Sequence, residues 1–525
     1  MVDASETVSG PTYRLTRFLI LRLLGVTYAV AFLAAANQIV PLIGTHGLLP
    51  VDLFLQQTSA AYGSTGAGFA KLPSLFWFTH SDTALLTTAW IGFALSCVVV
   101  AGFANAPLLT ILWMLYTSFV NVGQDWYGYG WEIQLLETGF LAIFLCPLLD
   151  MRPFPKHPPP TQIIVLFRWL IFRIMFGAGM IKVRGDEAWR NWTALYYHFE
   201  TQPIPGPLSR WFHFLPRFAL KLGVWYNFLA ELVAPWFVFW PRLARPIAGT
   251  VIIFLQIILL LSGNLSFLNW VTIIPALACF DDAFWSKILP RALIRRAAIS
   301  AGGGDPSHGA PPDDGASSDG GALPSLAAQV TAWTVTGAIA LLSIQPVINL
   351  LSPNQVMNTS YDPFNLVNTY GAFGSVGRTR LNVIFEGTLD TVPDETARWI
   401  PYPYKGLPVA LDRRPPQTAP YQWRLDWQMW FASMSSPNEY PWTLTLVSKL
   451  LHNDPGAVGL FAANPFPDKP PRFIRAVLYR YAFARPGNPQ HLWWNRERIG
   501  DVWLPPLSPN DPRLIKSLEN MGIRP

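Results

Sequence analysis

The segment FGAGMIKVRGDEAWRNWTALYYHFETQPIPGPLSRWFH, residues 176–213, leaves an apolar run at Ile181 and continues with basic, acidic, histidine and tryptophan side chains. Such a change is typical of a membrane helix that reaches the bilayer surface, where lysine extends its charge into water and tryptophan is enriched. Three interpretations are open for the polar part: an active site, a binding surface, or a membrane-interface loop. We expect an ordered interfacial loop on the outer side of the membrane. Its expected interface residues are Trp189, Trp192, Trp211 and His213.

The composition of the whole chain is that of a membrane protein. Hydrophobic residues make up 51% of the 525 residues and charged residues only 13%, whereas soluble domains carry roughly 25% charged residues. The net charge of +6 could suggest nucleic acid as a partner. No basic stripe or binding motif supports that partner, and lysine and arginine of membrane proteins concentrate in cytoplasmic loops. We therefore expect the lipid bilayer, and no nucleic acid, as a partner.

About nine stretches are apolar enough to be membrane spans, for which about 20 residues are needed. They predict a polytopic α-helical membrane bundle in residues 1–299, with one further span after it. The two shortest stretches, 107–122 and 264–280, are the least secure. The nine predicted spans are 17–43, 83–103, 107–122, 131–149, 161–181, 218–240, 246–262, 264–280 and 325–351.

The distribution of basic residues orients this bundle, because cytoplasmic loops carry an excess of lysine and arginine. Basic side chains precede the first span and recur in the loops 150–160 and 241–245 and after the eighth span. The loops 44–82 and 121–130 carry a single basic residue, Lys71. The pattern predicts a cytoplasmic N-terminus and a C-terminal domain outside the cytoplasm. An error of two spans would leave that orientation unchanged.

The last third of the chain differs in character from the bundle. Residues 300–324 are rich in glycine, proline, serine and aspartate and are expected to form a disordered cytoplasmic linker before the last transmembrane helix, 325–351. Residues 352–525 are expected to form a small extracytoplasmic α+β or β-rich domain. Apolar patterns predict strands at 378–387 and 471–483 and short helices at 425–434 and 441–453.

Five ionisable side chains fall inside the predicted spans, where a charge is costly and therefore often functional. Arg173 and Glu231 lie near the middle of their helices. The two interpretations are an interhelical ion pair that fixes the bundle and a polar cavity within it. Asn227 lies four residues before Glu231 on the same helix face, which favours the cavity. The five intramembrane ionisable residues are Arg168, Arg173, Glu132, Glu137 and Glu231.

Two residues of the opening segment are candidates for catalysis. Lys182 follows the apolar run directly, and it is either an interface anchor or a desolvated lysine able to act as a base. His198 is its candidate partner. The eight histidines include no HxxxH or HExxH spacing, so no metal site is expected. No nucleotide-binding or hydrolase motif is present either, and we expect no cofactor.

Four long blocks of this sequence resemble the lipase maturation factor family. They are residues 167–213, LVNTYGAFGSVGRTR (366–380), RRPPQTAPYQWRLDWQMWFA (413–432) and NPFPDKPPRFIRAVLYRYAF (464–483). The resemblance implies a multi-spanning membrane protein that helps secreted lipases to fold and assemble, with its C-terminal domain on the lumenal or periplasmic side. In animals this family is found in the endoplasmic reticulum. The abundance of alanine, proline and arginine in this chain favours a bacterial inner membrane instead.

The membrane part also resembles, more faintly, the vitamin K-dependent carboxylase superfamily. A lysine after an AG-containing helix end is the catalytic base there, and AGMIK places Lys182 at the matching position. That family has two adjacent lysines, whereas Ile181 precedes Lys182 here. The resemblance implies an alternative function, an integral-membrane enzyme that uses Lys182 as a base on a lipid-soluble or protein substrate.

The leading hypothesis is a maturation factor that is not an enzyme and that holds a client, an exported protein such as a lipase. A binding surface for a client should be apolar or aromatic with a polar rim. Three tryptophans at helical spacing could line one helix face, or could form the domain core. Four arginines, Arg413, Arg414, Arg424 and Arg475, could meet an acidic client or lipid headgroups, or could form a solvated surface. The main client-binding candidates are Trp423, Trp427, Trp430, Arg413 and Arg414. A transporter is the third hypothesis, and the oligomeric state is left open.

Overall fold

The computed structural model describes residues 11–241, 243–300 and 326–523. Within them the chain forms a bundle of helices up to residue 351, followed by a domain that contains a sheet. All of the predicted linker 300–324 except its first residue lies outside the described residues.

The bundle is built from long helices joined by short helical turns. Besides the helices it contains a π-helical turn at Leu229–Val233 and two short antiparallel strands, β1 (Ile204–Pro205) and β2 (Gly263–Asn264). The helices are α1 (Arg14–Ile43), α2 (Val51–Ala61), α3 (Thr65–Lys71), α4 (Asp82–Ala101), α5 (Ala106–Val122), α6 (Gly130–Ile143), α7 (Thr161–Arg184), α8 (Glu187–Arg190), α9 (Leu195–Thr201), α10 (Ser209–His213), α11 (Arg217–Phe228), α12 (Ala234–Phe237), α13 (Ala244–Ser262), α14 (Leu268–Ala276), α15 (Asp282–Trp285), α16 (Arg291–Ser300), α17 (Leu326–Leu342) and α18 (Ile344–Leu351).

The nine predicted membrane spans are not confirmed. Among the described residues, five helices are long and apolar enough to cross a membrane: α1, α4, α7, α13 and the continuous pair α17–α18. The other predicted spans form shorter helices. The helix predicted at 131–149 ends at Ile143, and the one predicted at 264–280 gives way to a 3-10 turn at Leu277–Cys279 after Pro275. Hydropathy detects an apolar stretch but not a turn that interrupts its helix, so the count of nine spans is not confirmed.

The segments that were predicted to be cytoplasmic meet at one end of the bundle. Arg14 donates hydrogen bonds to the carbonyl groups of Pro155 and Lys156, and its backbone N–H donates to Asp282. Near them, Arg245 forms an ion pair with Asp281 at 3.0 Å. The segments that the basic pattern grouped therefore lie together in the fold.

The C-terminal domain is an antiparallel sheet covered by helices. The strands lie in the order β4–β3–β5–β6. The predicted strands 378–387 and 471–483 are confirmed as β3 and β5, and the two predicted helices as α19 and α20. The elements are β3 (Arg380–Thr388), β4 (Ile400–Pro401), α19 (Arg424–Ala432), α20 (Trp442–Leu451), α21 (Pro455–Val458), β5 (Phe473–Phe483), β6 (Trp494–Leu507) and α22 (Pro512–Asn520).

Strand β6 was not predicted, because Pro505 and Pro506 and the polar residues before them do not resemble a strand. It lies at the edge of the sheet, where proline is tolerated since its missing N–H is not needed by a further strand. Its pairing with β5 is irregular between Ile474 and Tyr479.

One apolar core runs from the bundle into the C-terminal domain. The ring of Trp126 lies 4.8 Å from that of Trp442, and the ring of Trp131 lies 4.7 Å from that of Trp427. The domain is therefore docked on the end of the bundle that is opposite to its basic end, where the C-terminal part of α1 contacts it through Gln38.

Candidate functional site

The segment NTYGAFGSVG, residues 368–377, lies at the start of the C-terminal domain and packs against α7. We call it the glycine segment. It packs so closely against α7 that a Cβ added at Gly177 would lie 2.5 Å from the carbonyl oxygen of Tyr370. Below this contact, the backbone N–H of Asp186 donates to the carbonyl of Gly374 at 2.8 Å. Glycine in both partners therefore allows the two backbones to approach.

Glu137 of α6 anchors the glycine segment. Its carboxylate is fully buried and pairs with Arg173 of α7. It also accepts hydrogen bonds from the Tyr370 hydroxyl at 2.7 Å and from both the backbone and the side-chain nitrogen of Asn368, each at 3.1 Å. Arg173 in turn donates to the carbonyl of Asn368 at 2.7 Å. Two buried charges of the bundle thus compensate each other and hold one segment of the C-terminal domain.

Glu132, five residues earlier in α6, anchors α19 in the same way. It pairs with the fully buried Arg424 at 2.9 Å and accepts a hydrogen bond from the Tyr116 hydroxyl. The guanidinium carbon of Arg424 lies 3.5 Å from the centre of the Tyr127 ring, a favourable cation–π geometry. The backbone N–H of Arg424 donates to Gln38. Both carboxylates of α6 are therefore docking groups for the C-terminal domain.

Arg168 lies at the other end of the bundle, away from these anchors. Its guanidinium donates to the carbonyl of Ala278 at 2.8 Å and to the Tyr13 hydroxyl at 2.8 Å. It ties the end of α14 to the start of α1 and takes no part in the sites described below.

Lys182 is buried at the end of α7, with 4% of its surface exposed. It forms an ion pair with Glu231 and donates to Asn227 at 3.3 Å, while Asn227 donates to Glu231 at 2.8 Å. The Trp189 ring covers the ammonium at 5.0 Å and is fixed by a hydrogen bond to the carbonyl of Phe373. This is an interhelical ion pair inside a polar cluster, so Arg173 and Glu231 each pair with a partner other than one another.

Glu231 lies in the π-helical turn Leu229–Val233. Such turns are rare and frequently occur at functional sites, because they displace a side chain relative to a regular helix. The sequence pattern of a regular helix gave no sign of this turn.

His198 is buried next to the Lys182 cluster. Its ring stands edge-on to the Phe373 ring, with the two centres 4.9 Å apart. Burial, reinforced by the positive charge of Lys182, lowers the pKa of His198 to about 4. Within the described part of the chain its imidazole makes no hydrogen bond to another residue. His198 is therefore a neutral ring with two free nitrogen positions.

The stability of the protein should fall in acid because of His198. Its pKa is about 6.5 in an unfolded chain and about 4 in the fold. The contribution of His198 to the free energy of unfolding is therefore fully present above pH 6.5 and is lost as the pH falls towards 4. This difference in pKa corresponds to a contribution of about 3 kcal/mol. Burial also lowers the pKa of His213, which adds a decline of the same sign. Unfolding measured between pH 7 and pH 4 should show a weaker pH dependence in His198→Phe than in the natural protein.

The control for this experiment is His452→Gln, since His452 is exposed. It should keep the pH dependence of the natural protein. Parallel curves for the natural protein and His198→Phe would show that His198 is not held neutral.

A cavity of about 370 Å³ lies between the bundle and the C-terminal domain, beside His198. Helices α6 and α7 form its membrane side, and the glycine segment and α19 form its other side. Most of its wall is aromatic. The aromatic rings in its wall are those of Tyr129, Trp131, Tyr370, Phe373, Trp427, Trp430 and Phe431. Polar residues also line it: Gln134, His198, Thr201, Gln202, Asn358, Ser375, Thr379 and Arg380. Lys182 is not one of the lining residues, but it is close enough to His198 for its charge to act on the imidazole.

The candidate client-binding residues occupy several environments. Trp427 is buried against Trp131, and Trp430 lines the cavity and donates to the carbonyl of Thr201 at 3.0 Å. Trp423 precedes α19, and the Lys405 ammonium lies 4.4 Å from its ring centre. Arg413 donates to the carbonyls of Tyr404 and Lys405, and Arg414 lies over Trp493 at 5.5 Å. Client binding by these residues stays a prediction.

The interfacial loop is a series of short helices, α8 to α10. Trp189 is buried, while Trp192 and Trp211 are 39% and 50% exposed. His213 is half-buried, with its Nε2 3.7 Å from the Glu200 carboxylate. Among the described residues, no group of three or more histidine, cysteine or acidic side chains has the arrangement of a metal site.

Sequence reasoning missed three parts of this site: the glycine segment, Gln134 and Arg380. The repeated glycines of GAFGSVG were a signal for close backbone packing that could have been used. Nothing in the sequence placed Gln134 and Arg380 in the wall of one cavity, because they are far apart in the chain and the cavity forms only when the domain docks.

Bundle, docked domain and cavity together define a multi-spanning membrane protein with an attached extramembrane domain. Residues 15–287 match the family model of the lipase maturation factor transmembrane domain, and residues 366–505 match that of the lipase maturation factor C-terminal domain. The chain therefore belongs to the lipase maturation factor family.

Curated relatives match over almost the whole chain. Lipase maturation factor 1 of Mus musculus is 44% identical over 526 residues, covering 97% of this chain and 90% of that protein. Lipase maturation factor 1 of Bos taurus is 42% identical over 520 residues, covering 96% and 90%. Lipase maturation factor 2 of Mus musculus is 28% identical over 613 residues, covering 97% and 86%. No solved structure matches the chain. These matches lend no support to the carboxylase alternative.

Proposed function

We propose that this protein is an integral-membrane maturation factor for exported proteins, with lipases as its clients. The observation that carries the proposal is the match of both domains, in order and over nearly the full length, to lipase maturation factor 1. The docking of the C-terminal domain through buried ion pairs supports a single working unit rather than a membrane anchor with a loosely attached domain.

The proposed orientation places the N-terminus in the cytoplasm and the C-terminal domain on the periplasmic or lumenal side. The meeting of the basic segments at one end of the bundle, with the C-terminal domain at the other end, supports this orientation. The composition supports a bacterial inner membrane as the compartment, whereas the relatives named above are animal proteins.

A chemical role for Lys182 and His198 is a second proposal, favoured by one observation. A buried lysine acts electrostatically on a neutral histidine that borders a cavity. The ion pair of Lys182 with Glu231 accounts equally well for its burial, and the variants described in the Discussion separate the two roles.

The maturation proposal is tested by deleting the protein from its host and measuring a co-expressed secreted lipase. The quantity to measure is lipase activity per amount of secreted lipase protein, which separates maturation from synthesis. It should fall in the deletion strain and return when the natural chain is supplied again. A secreted phosphatase serves as the control and should keep its specific activity. A deletion that leaves the specific activity of every lipase unchanged would remove the basis of the proposal.

A further inference from the structure

Two arginines lie over the same tryptophan ring at the end of the bundle that carries the C-terminal domain. The guanidinium carbon of Arg210 is 3.6 Å from the ring centre of Trp493, and that of Arg414 is 5.5 Å from the same centre. Both distances are typical of cation–π contacts. Arg210 is buried, whereas Arg414 is exposed. Two positive charges are therefore held close together, and one of them is accessible from outside the protein.

This arginine pair has no compensating acid. Among the described residues, no carboxylate forms an ion pair with Arg210 or Arg414. Arg210 donates to the carbonyl of Leu492 at 3.1 Å, while its Nε has no hydrogen-bond partner in the same part of the chain. The pKa of Arg210 is lowered, first by burial and then by the positive charge of Arg414. Because arginine stays protonated in proteins, the two like charges favour an anion beside them.

Both arginines are tied to one end of the spanning helix α13. It is the end opposite to Arg245, which belongs to the basic end of the bundle. The hydroxyl of Ser209, the residue before the buried arginine, donates to the carbonyl of Ser262, the last residue of α13, at 2.6 Å. Just beyond α13, the side chain of Asn264 donates to the carbonyl of Pro416, close in the chain to the exposed arginine, at 2.8 Å. The two charges therefore lie where α13 leaves the hydrocarbon core, which is the level of the lipid head groups.

Exposed apolar side chains follow the buried arginine directly in the chain. Trp211 and Phe214 are exposed, and Phe218, Leu222 and Trp225 are exposed on one face of α11, at spacings of four and three residues. An apolar face of this kind fits the acyl chains of a lipid. An acidic peptide dissolved in water would leave it uncovered.

We propose that Arg210 and Arg414 bind the phosphate group of an anionic phospholipid of the phosphatidylglycerol type. Arginine suits this role because its guanidinium forms strong hydrogen bonds to phosphate oxygens. The acyl chains lie along the exposed face of α10 and α11. A zwitterionic phospholipid carries its own ammonium group, so its head group gains less from two uncompensated positive charges. This lipid site is independent of the lipase client and of the side of the membrane on which the C-terminal domain lies.

The proposal is tested with the purified full-length protein in phosphatidylcholine nanodiscs. They contain a phosphatidylglycerol probe with a photoactivatable diazirine in its head group, and labelled peptides are mapped by mass spectrometry. Labelling should saturate and should fall on residues 411–416 or 490–494. At a constant amount of probe, exchange of part of the phosphatidylcholine for unlabelled phosphatidylglycerol should reduce this labelling. Exchange for phosphatidylethanolamine, or inorganic phosphate in the buffer, should not.

Variants of the exposed arginine localise the binding. Arg414→Gln removes one charge and should weaken binding of the probe about fivefold. Arg414→Lys keeps the charge and should retain most of the labelling. Arg210→Gln should also weaken binding. Since Arg210 is buried, its variant can fail to fold, and Arg414→Gln then tests the proposal alone, with thermal unfolding as a check that the fold is kept.

The matched control is Arg472→Gln. Arg472 is exposed and precedes β5 at the end far from Phe483, whose ring lies 5.6 Å from that of His213 in α10. Its replacement removes the same charge far from the proposed site. The variant should label like the natural protein.

Other results would overturn the proposal. Labelling that stays unchanged in folded Arg414→Gln, or that phosphatidylethanolamine reduces as strongly as phosphatidylglycerol, would mean that this site does not select an anionic head group. Loss of labelling in inorganic phosphate would mean a site for a soluble anion. Loss of labelling on addition of a glutamate-rich peptide, with phosphatidylglycerol less effective, would mean a site for an acidic client.

Discussion

Replacing Glu137 with alanine is expected to detach the glycine segment from the bundle and to lower the free energy of unfolding by about 3–5 kcal/mol. This loss in the free energy of unfolding is the one expected for breaking a buried ion pair, because the charge of Arg173 is left uncompensated. The hydrogen bonds from Asn368 and Tyr370 are lost with it. Thermal unfolding of the purified protein measures the loss, and limited proteolysis should show new cleavage between residues 352 and 377.

The matched control is Glu395→Ala. Glu395 also forms an ion pair, with Arg498 at 2.9 Å, but its side chain is 66% exposed. Solvent screens such a pair, so its removal should change the unfolding temperature little. Equal effects of the two variants, or an unchanged proteolytic pattern in Glu137→Ala, would contradict the anchoring role of Glu137.

Replacing Lys182 with methionine should also lower the free energy of unfolding by about 3–5 kcal/mol, because the buried carboxylate of Glu231 loses its partner. The double variant Lys182→Met with Glu231→Gln removes both charges and should recover most of that loss. Thermal unfolding of the two single variants and the double variant measures this coupling.

The same variants decide whether Lys182 has a chemical role. If the lysine only holds the fold, the double variant should restore lipase specific activity together with stability. If the lysine acts as a base, the double variant should fold and still fail to mature lipases. Lys182→Arg is the companion variant, since arginine keeps the charge but does not titrate as a lysine does. If Lys182→Met were as stable as the natural protein, the ion pair of Lys182 with Glu231 would not stabilise the fold.

The sequence predicted local features of the fold well. Strand β5 carries a clear alternation from Phe473 to Phe483, and helix α19 lies within one or two residues of its predicted range. Loops grouped by lysine and arginine counts meet in space, because charge in short loops follows the side of the membrane rather than the number of helices. These properties depend on neighbouring residues, which a sequence shows directly.

Features that depend on distant residues were not predictable in the same way. The cost of burying a charge identified Glu132 and Glu137 as unusual, but their partners Arg424 and Asn368 lie more than 200 residues later in the chain. The cavity needs α6, α7, the interfacial loop and the C-terminal domain together. The number of spans depended on turns that hydropathy does not detect.

The position of the docking partners along the chain also sets the order in which the molecule can be completed. Glu132, Glu137 and Arg173 are synthesised well before Asn368, Tyr370 and Arg424, which satisfy their hydrogen bonds and charge. A growing chain that has inserted α6 and α7 therefore holds a carboxylate, Glu132, whose ion-pair partner Arg424 has not yet been translated. The last third of the protein supplies the groups that complete the charge and hydrogen-bond balance of these two helices.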